Sequence, residues 1–427
     1  MAGNNFDSNI TRKLTRIFLE KMESDRVLSK SVNTALLSNV FNPSTGDTVD
    51  YKRPTDYKSS RTSDGDISAT TSQAIITGKA SAVVQDYITV EVDFLEAKQA
   101  LEMDQLDQLL APAVTRIKTD LELDFAKFAL KNTALVYGNV GTPADSWDDI
   151  AGGGSIMEGS GVPMNEDWCY FVNPFTQRKL AAGNRGLGAG GVAGGLVKNA
   201  VDRATIDSNF AGMKVMTATT LASYNTQAGA TRAGTITATN PDVTYLTAKD
   251  SMKQSIQVTG FQANLVVKAG ETLTIAGRYR LNLSTREVIL DETGSPVLWS
   301  ATVASDVTLG SSGEGVIVVT GPAIYEATGA YNTVDSAPII GDVVTLLGAA
   351  ATIIQPNLFW HKQAFGIGFV PIEKLYSTDT VGTTEDGLQV RVSKGASIRE
   401  NKQIIRFDIR PAYAALNPFL AGQGFGK

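Results

Sequence analysis

The sequence predicts an α+β chain with an all-β domain, a small barrel or sandwich, inserted into it. Three observations carry that expectation. A long apolar stripe steps at helical spacing through residues 96–132. A polar, hairpin-like segment with an alternating return arm spans 45–94. A Thr-, Gly- and Val-rich stretch without helical pattern, 224–345, interrupts a mixed chain that resumes at 346. The 427 residues suffice for roughly three domains at about 150 residues each, or for one large domain with insertions.

The elements follow in order. Residues 9–32 read as an amphipathic helix, with Ile10, Leu14, Ile17, Phe18 and Leu28 near one face and Arg12, Lys13, Arg16 and Glu20 around the rest. Residues 45–94 read as a long β-hairpin. Its outgoing arm is polar and carries Lys52, Arg53, Lys58 and Arg61. Asp64-Gly65 marks the turn, and 87–94 alternate at period two on the return. Arms of ~15 residues at ~3.3 Å each would reach about 50 Å. A polar hairpin that long cannot support itself, so it needs an external surface.

In the helix at 96–132, Leu110, Val114, Ile117, Leu121, Phe125 and Phe128 form the stripe, and Pro112 marks a kink or a fresh first turn. Residues 134–223 return to mixed α/β: a strand at 168–173, a helix at 175–182 with Asn173 as N-cap and Pro174 first, a glycine-rich stretch at 183–195, and a strand at 213–217. Within 224–345, strand candidates recur at 233–239, 254–259, 264–276, 279–290, 297–308 and 315–325, the spacing of a small antiparallel barrel or sandwich. Residues 357–371 read as a helix running into a strand, and 388–392 with 403–409 as paired strands. The tail carries Tyr413, Phe419 and Phe425, so it should pack.

Composition excludes several chemistries. There are 38 Lys+Arg against 44 Asp+Glu, a net charge of -6 with no concentrated run, which argues against sequence-reading nucleic-acid binding. With one cysteine, Cys169, and one histidine, His361, neither a disulfide nor a structural zinc site forms within one chain. Cys169 sits in an apolar run and reads as a buried, inert thiol, and His361 as a packed core residue. Gly186, Gly188 and Gly191 satisfy G-x-G-x-x-G, but a dinucleotide site needs a strand before it, and here a helix precedes. A flexible surface loop is the simpler reading. No P-loop pattern occurs. Asp145, Asp148 and Asp149 read as solvated loop carboxylates. No metal, cofactor or catalytic residue is expected. The amino terminus lacks a signal pattern, and the longest apolar run, 343–354, is too short for a bilayer, so a soluble chain made in a reducing cytoplasm is expected. An arm and a hairpin that both want external surfaces point to an assembly subunit before an enzyme.

Seven stretches then carry a resemblance: STGDTVDYKRP at 44–54, TSDGDIS at 62–68, QLDQLLAPAVTRIKTDLE at 105–122, TYLTAKDS at 244–251, KAGETLTIAG at 268–277, PNLFWHKQAFGIGFVPIEKL at 356–375 and RFDIRPAYAALNPFLAGQGFG at 406–426. In collinear order over nearly the whole chain, they resemble the coat proteins of the P-twenty-two group of short-tailed bacteriophages, which are major capsid proteins of the HK-ninety-seven-type fold. The resemblance implies an N-terminal arm at 1–50, an E-loop at 51–94 that lies across a neighbouring subunit, and a spine helix of the peripheral domain at 95–133. It implies an axial domain from 134–223 and 346–385, an inserted β-barrel domain at 224–345, and closing strands with the C-terminal segment at 386–427. Subunit contacts would come from Lys52, Arg53, Lys58, Arg61, Asp64 and Asp66 on the E-loop, and from Lys249, Asp250 and Lys253 on the D-loop of the inserted domain. Partners would be further copies in hexamers and pentamers, a scaffolding protein and a portal protein, with non-specific proximity to packaged double-stranded DNA and no membrane. The shell would assemble in the host cytoplasm and the chain would reside in the virion. Deleting 51–94 would leave a folded monomer unable to form shells. A secreted or tail-associated β-rich adhesion module is the alternative reading, and an enzyme with carboxylate chemistry is third.

Overall fold

The computed structural model describes residues 6–35, 46–53, 55–68, 74–95, 106–164, 168–186, 194–238, 243–327, 329–376, 379–384, 386–397 and 402–427. Helix α1 (Phe6–Asp25) buries Leu14, Phe18 and Met22. It stops short of the 9–32 periodicity, and Leu28 is buried from a turn instead. The cause is Glu122. Its carboxylate accepts the backbone N–H groups of Val27, Leu28 and Ser29 at 3.3, 2.7 and 3.1 Å, an alternative to continuing the helix. Strands β1 (Thr48–Arg53), β2 (Gly78–Val84) and β3 (Ile88–Leu95) follow. The hairpin is therefore shorter in strand than expected, because 55–68 and 74–77 form none. Residues 57–68 are exposed throughout, and without a buried face nothing specifies a ladder there.

Helix α2 (Leu106–Lys131) runs through Pro112 without ending and buries Val114, Ile117, Leu121 and Phe125; the expected turns at 96–105 lie outside the described residues. Then come β4 (Leu135–Tyr137), α3 (Trp147–Gly159) behind a Ser146–Asp149 capping box, β5 (Trp168–Val172), α4 (Pro174–Gly186), α5 (Gly194–Arg203), β6 (Asn209–Phe210) and β7 (Met213–Thr217). Asn173 caps α4, accepting the N–H of Thr176 at 2.7 Å. The inserted region supplies β8 (Tyr224–Asn225), β9 (Ala233–Ile236), β10 (Lys253–Thr259), β11 (Val266–Val267), β12 (Thr272–Tyr279), β13 (Leu298–Val303), β14 (Val307–Thr308), β15 (Gly315–Thr320) and β16 (Val343–Leu346). It also holds one short helix, α6 (Tyr245–Ala248), where the pattern showed none, while the candidate at 279–290 beyond β12 makes only isolated bridges.

After β17 (Ile353–Ile354), the run at 357–371 forms two strands, β18 (Asn357–His361) and β19 (Phe365–Phe369), and no helix. Every residue in both strands is buried. A short apolar run buried on both faces has no period that separates strand from helix. The chain closes with β20 (Thr380–Thr383), β21 (Gln389–Ser397), β22 (Lys402–Ile409), β23 (Pro411–Ala415), a turn of 3₁₀ helix (Pro418–Leu420) and β24 (Ala421–Gly424).

The chain divides into two compact units, and the first gathers the described residues of 1–50, 81–126 and 365–414. Its antiparallel sheet runs β20-β21-β22-β3, and α1 lies on it with Phe18 stacked on Phe407 at 5.6 Å. A second sheet orders β1-β2-β23-β19, with Ala82 opposite Ala414. Phe125 of α2 packs edge-on against Phe365 and Tyr413, at 6.2 and 5.4 Å.

The second unit gathers the described residues of 51–80, 127–364 and 415–427. Its mixed sheet runs β4-β24-β18-β5-β7-β6. Cys169 pairs with Trp360 across it, and His361 with Trp168. Successive residues point to opposite faces, so Cys169 and His361 lie on opposite sides and form no catalytic pair. Strands β10-β15-β13-β12-β16-β9 close a barrel around Trp299, Ile256, Leu273, Ile317 and Val344. The barrel is fixed to the end of α2 by polar contacts. Arg280 donates to the Ala134 carbonyl at 2.8 Å, Thr320 to that of Lys131 at 2.9 Å, and the Thr133 and Thr302 hydroxyls lie 3.0 Å apart.

Candidate subunit-contact site

Among the described residues no cluster of three or more His, Cys, Asp and Glu could hold a metal ion, and no helix is long and apolar enough to cross a membrane. Of the glycine motif, Gly186 ends α4, while Gly188 and Gly191 lie outside the described residues. What the second unit does build is a base for the projecting loop.

Arg53 ends β1 and is only 5% exposed. Its Nε donates to the Leu416 carbonyl at 2.9 Å, and its terminal nitrogens reach the carbonyls of Lys249 and Ala415. Burial lowers the guanidinium's affinity for its proton, and Tyr331, Tyr245 and Asp250 oppose that shift. On the return arm, Gly78 passes so close that an added Cβ would sit 2.4 Å from the Lys249 carbonyl oxygen. Only glycine fits there. The Lys79 N–H donates to Asp250 at 3.2 Å, and Lys249 pairs with the same carboxylate at 2.9 Å. The Lys249 hydrogen bond is the main force holding Asp250 below the usual carboxylate range. Met252 closes the turn at φ +50, its N–H bonded to the Ala248 carbonyl at 2.7 Å.

Beneath the turn, Tyr245 stacks on Tyr331 at 4.4 Å, and the Arg286 guanidinium lies 4.9 Å from the Tyr331 ring centre. Arg286 also pairs with Asp56, and Ile76 packs against the same cluster. Burial pushes the Tyr331 phenol up to about 12. Both arms of the loop are thus anchored, the outgoing one by Arg53 and Asp56 and the returning one by Ile76, Gly78 and Lys79.

The structure brings together Arg53, Lys249 and Asp250. It does not bring Lys52, Lys58, Arg61, Asp64, Asp66 or Lys253 to that base, and all six are exposed. Arg53 departs from an outward-facing contact, because three backbone carbonyls of its own chain converge on it. At the tip, Gly65 adopts φ +78; Asp64 accepts the N–H of Asp66 at 3.1 Å, and Asp66 that of Ser68 at 2.8 Å. Asp56, Arg286, Tyr245 and Tyr331 had no sequence signal as a group. Only the fold brings position 56 to position 286.

Both arms of the loop are anchored within the chain, and comparison identifies the class of protein as a bacteriophage coat protein. A family model described as P22 coat protein, gene protein 5, matches residues 1–426; the chain belongs to that family. A protein named "Major capsid protein" from Acyrthosiphon pisum secondary endosymbiont phage 1 is 36% identical over 429 residues, covering 100% of each chain. Among solved structures, one of Mycobacterium phage Che8 aligns at TM-score 0.45 and 12% identity, covering 93% of this chain and 90% of that one. The capsid of cyanophage P-SCSP1u aligns at 0.43 and 10%, covering 94% and 88%.

Proposed function

We propose that this coat protein is the major subunit of an icosahedral shell, and that the loop at 55–68 lies on a neighbouring copy. The carrying observation is a loop anchored at both arms and exposed from Tyr57 to Ser68. An exposed segment without a buried face gains little packing energy from its own chain, so a neighbouring surface is what would hold it in place. The role is structural: each contact is weak, and exposed charge pairs of about 0–1 kcal/mol set register more than strength. Lys52, Lys58 and Arg61 with Asp64 and Asp66 serve the loop, and Lys249, Asp250 and Lys253 serve the D-loop turn. The shell forms with a scaffolding protein and a portal protein and encloses packaged double-stranded DNA, which a chain of net charge -6 does not hold tightly.

Deleting 51–94 is not a clean test, because it removes Arg53 and strands β2 and β3, which belong to the sheets. The cleaner variant replaces 58–68 with a short Gly-Ser linker and keeps Asp56 with Arg286. Sedimentation velocity and negative-stain microscopy, with and without scaffolding protein, should show closed shells for the unchanged chain. The linker variant should give folded monomers only. Normal shells from that variant would overturn the loop assignment.

A further inference from the structure

The first unit contains an open cleft of about 500 Å³ between α1 and β20. Helix α1 lines it with Arg12, Arg16, Leu19 and Glu20, and β20 with Thr380 and Thr383. Arg12 and Arg16 stand one turn apart on one face, with Cβ atoms about 6 Å apart. Both are exposed, and neither has an ion-pair partner among the described residues. The Thr380 hydroxyl is buried and has no hydrogen-bond partner among those residues. Helix and strand are tightly seated here, since a Cβ on Gly382 would come within 2.5 Å of the Thr15 methyl. The guanidinium pair is therefore held on a firm floor, next to a hydroxyl that lacks a bond. Two guanidiniums at this spacing fit a pair of carboxylates.

Resting on the reading above that copies of this chain form a shell, we propose that the cleft receives the acidic loop tip, Asp64 to Asp66, of a second copy. The tip matches it in charge and in order. Asp64 and Asp66 are exposed, and the turn is pinned by their own backbone hydrogen bonds. The backbone bond from Ser68 is the first of the interactions that hold the Asp66 carboxyl below its usual range, so it is fully charged at neutral pH. Next to the acids, Ile67 is 62% exposed and meets the apolar wall at Leu19. Arg61, on the other side of the turn, suits Glu20, the carboxylate facing the same cleft. Docking would bring three carboxylates against three guanidiniums and leave the tip ordered.

A charge exchange tests this in the full chain. One variant carries Arg12→Glu with Arg16→Glu, a second Asp64→Lys with Asp66→Lys, and a third all four changes. Shell formation is followed by sedimentation velocity beside the unchanged chain, at low and high salt. Each reversed pair should slow assembly about tenfold and flatten its salt dependence, and the four-site exchange should restore both. Unchanged assembly by either reversed pair, or no recovery in the exchange, would overturn the docking. A disulfide guards against misfolded variants. Arg16→Cys with Asp64→Cys should link chains in oxidised shells, the native thiol Cys169 being buried. A link within one chain, or none, would count against it. If the unchanged chain forms no shells at all, the capsid reading fails first and the docking with it; shells without the exchange pattern sink the docking alone.

Discussion

Asp408 is a carboxylate with no exposed side-chain surface, and three side chains donate to it. Thr89 donates at 2.7 Å, Arg406 at 2.7 Å, and Arg391 through its Nε at 3.0 Å. Burial alone would raise this carboxyl. The bonds from Arg406, Thr89 and Arg391 outweigh it, and the group ends below the ordinary value. A depressed acid stabilises the fold above its unfolded value of about 3.9, and the contribution fades as pH falls through the folded value. Asp408→Asn should therefore cost about 3 kcal/mol at pH 7, since it strands Arg391, and the deficit should narrow below about pH 4. Urea midpoints of both chains at pH 7 and pH 3 check it; an equal gap at both would exclude the assignment. At this scale some roles were legible in sequence. Asn173 caps its helix, and Cys169 is buried as an apolar run implies. Arg53 was not, because a charged residue in a polar segment looks solvated until three distant carbonyls converge on it.

Among elements, the arm depends on a single side chain of α2. Glu122 is 3% exposed and receives three backbone N–H groups and the Ser29 hydroxyl, so it fixes where α1 ends and the chain turns. Glu122→Ala should orphan those donors at a cost of about 2 kcal/mol. Limited trypsin digestion should then cut at Arg26 or Lys30 about tenfold faster, through local opening of the turn. An unchanged cleavage rate would show that the helix ends for another reason. The long helix and most barrel strands were legible because each has one buried face, and a one-sided element prints its period in the chain. Strands β18 and β19 were not, being buried on both sides. The hairpin was overextended for the opposite reason: alternation in 87–94 is real, but the tip has no buried face at all.

For the whole molecule, the family was legible through resemblance, and the family model matches residues 1–426. The grouping of parts was not. Each unit is assembled from three separated stretches, so contacts among distant segments, and not local pattern, decide which strand joins which sheet. The barrel is the exception, since its six strands come from one continuous stretch. Its polar seam to α2, through Arg280, Thr302 and Thr320, has no such local signature.

Strand β24 lies between β4 and β18 and bonds to both, parallel to the first and antiparallel to the second. Both neighbours precede it in the chain, so each has an open hydrogen-bonding edge until β24 is made. A chain terminated after Leu420 should keep both edges bare and partition into the insoluble fraction, while the full chain stays in the supernatant. Equal solubility would refute this. The sheet would thus work as a completion check: a nascent polypeptide cut short never acquires the strand that joins β4 to β18, and a shell is spared faulty bricks.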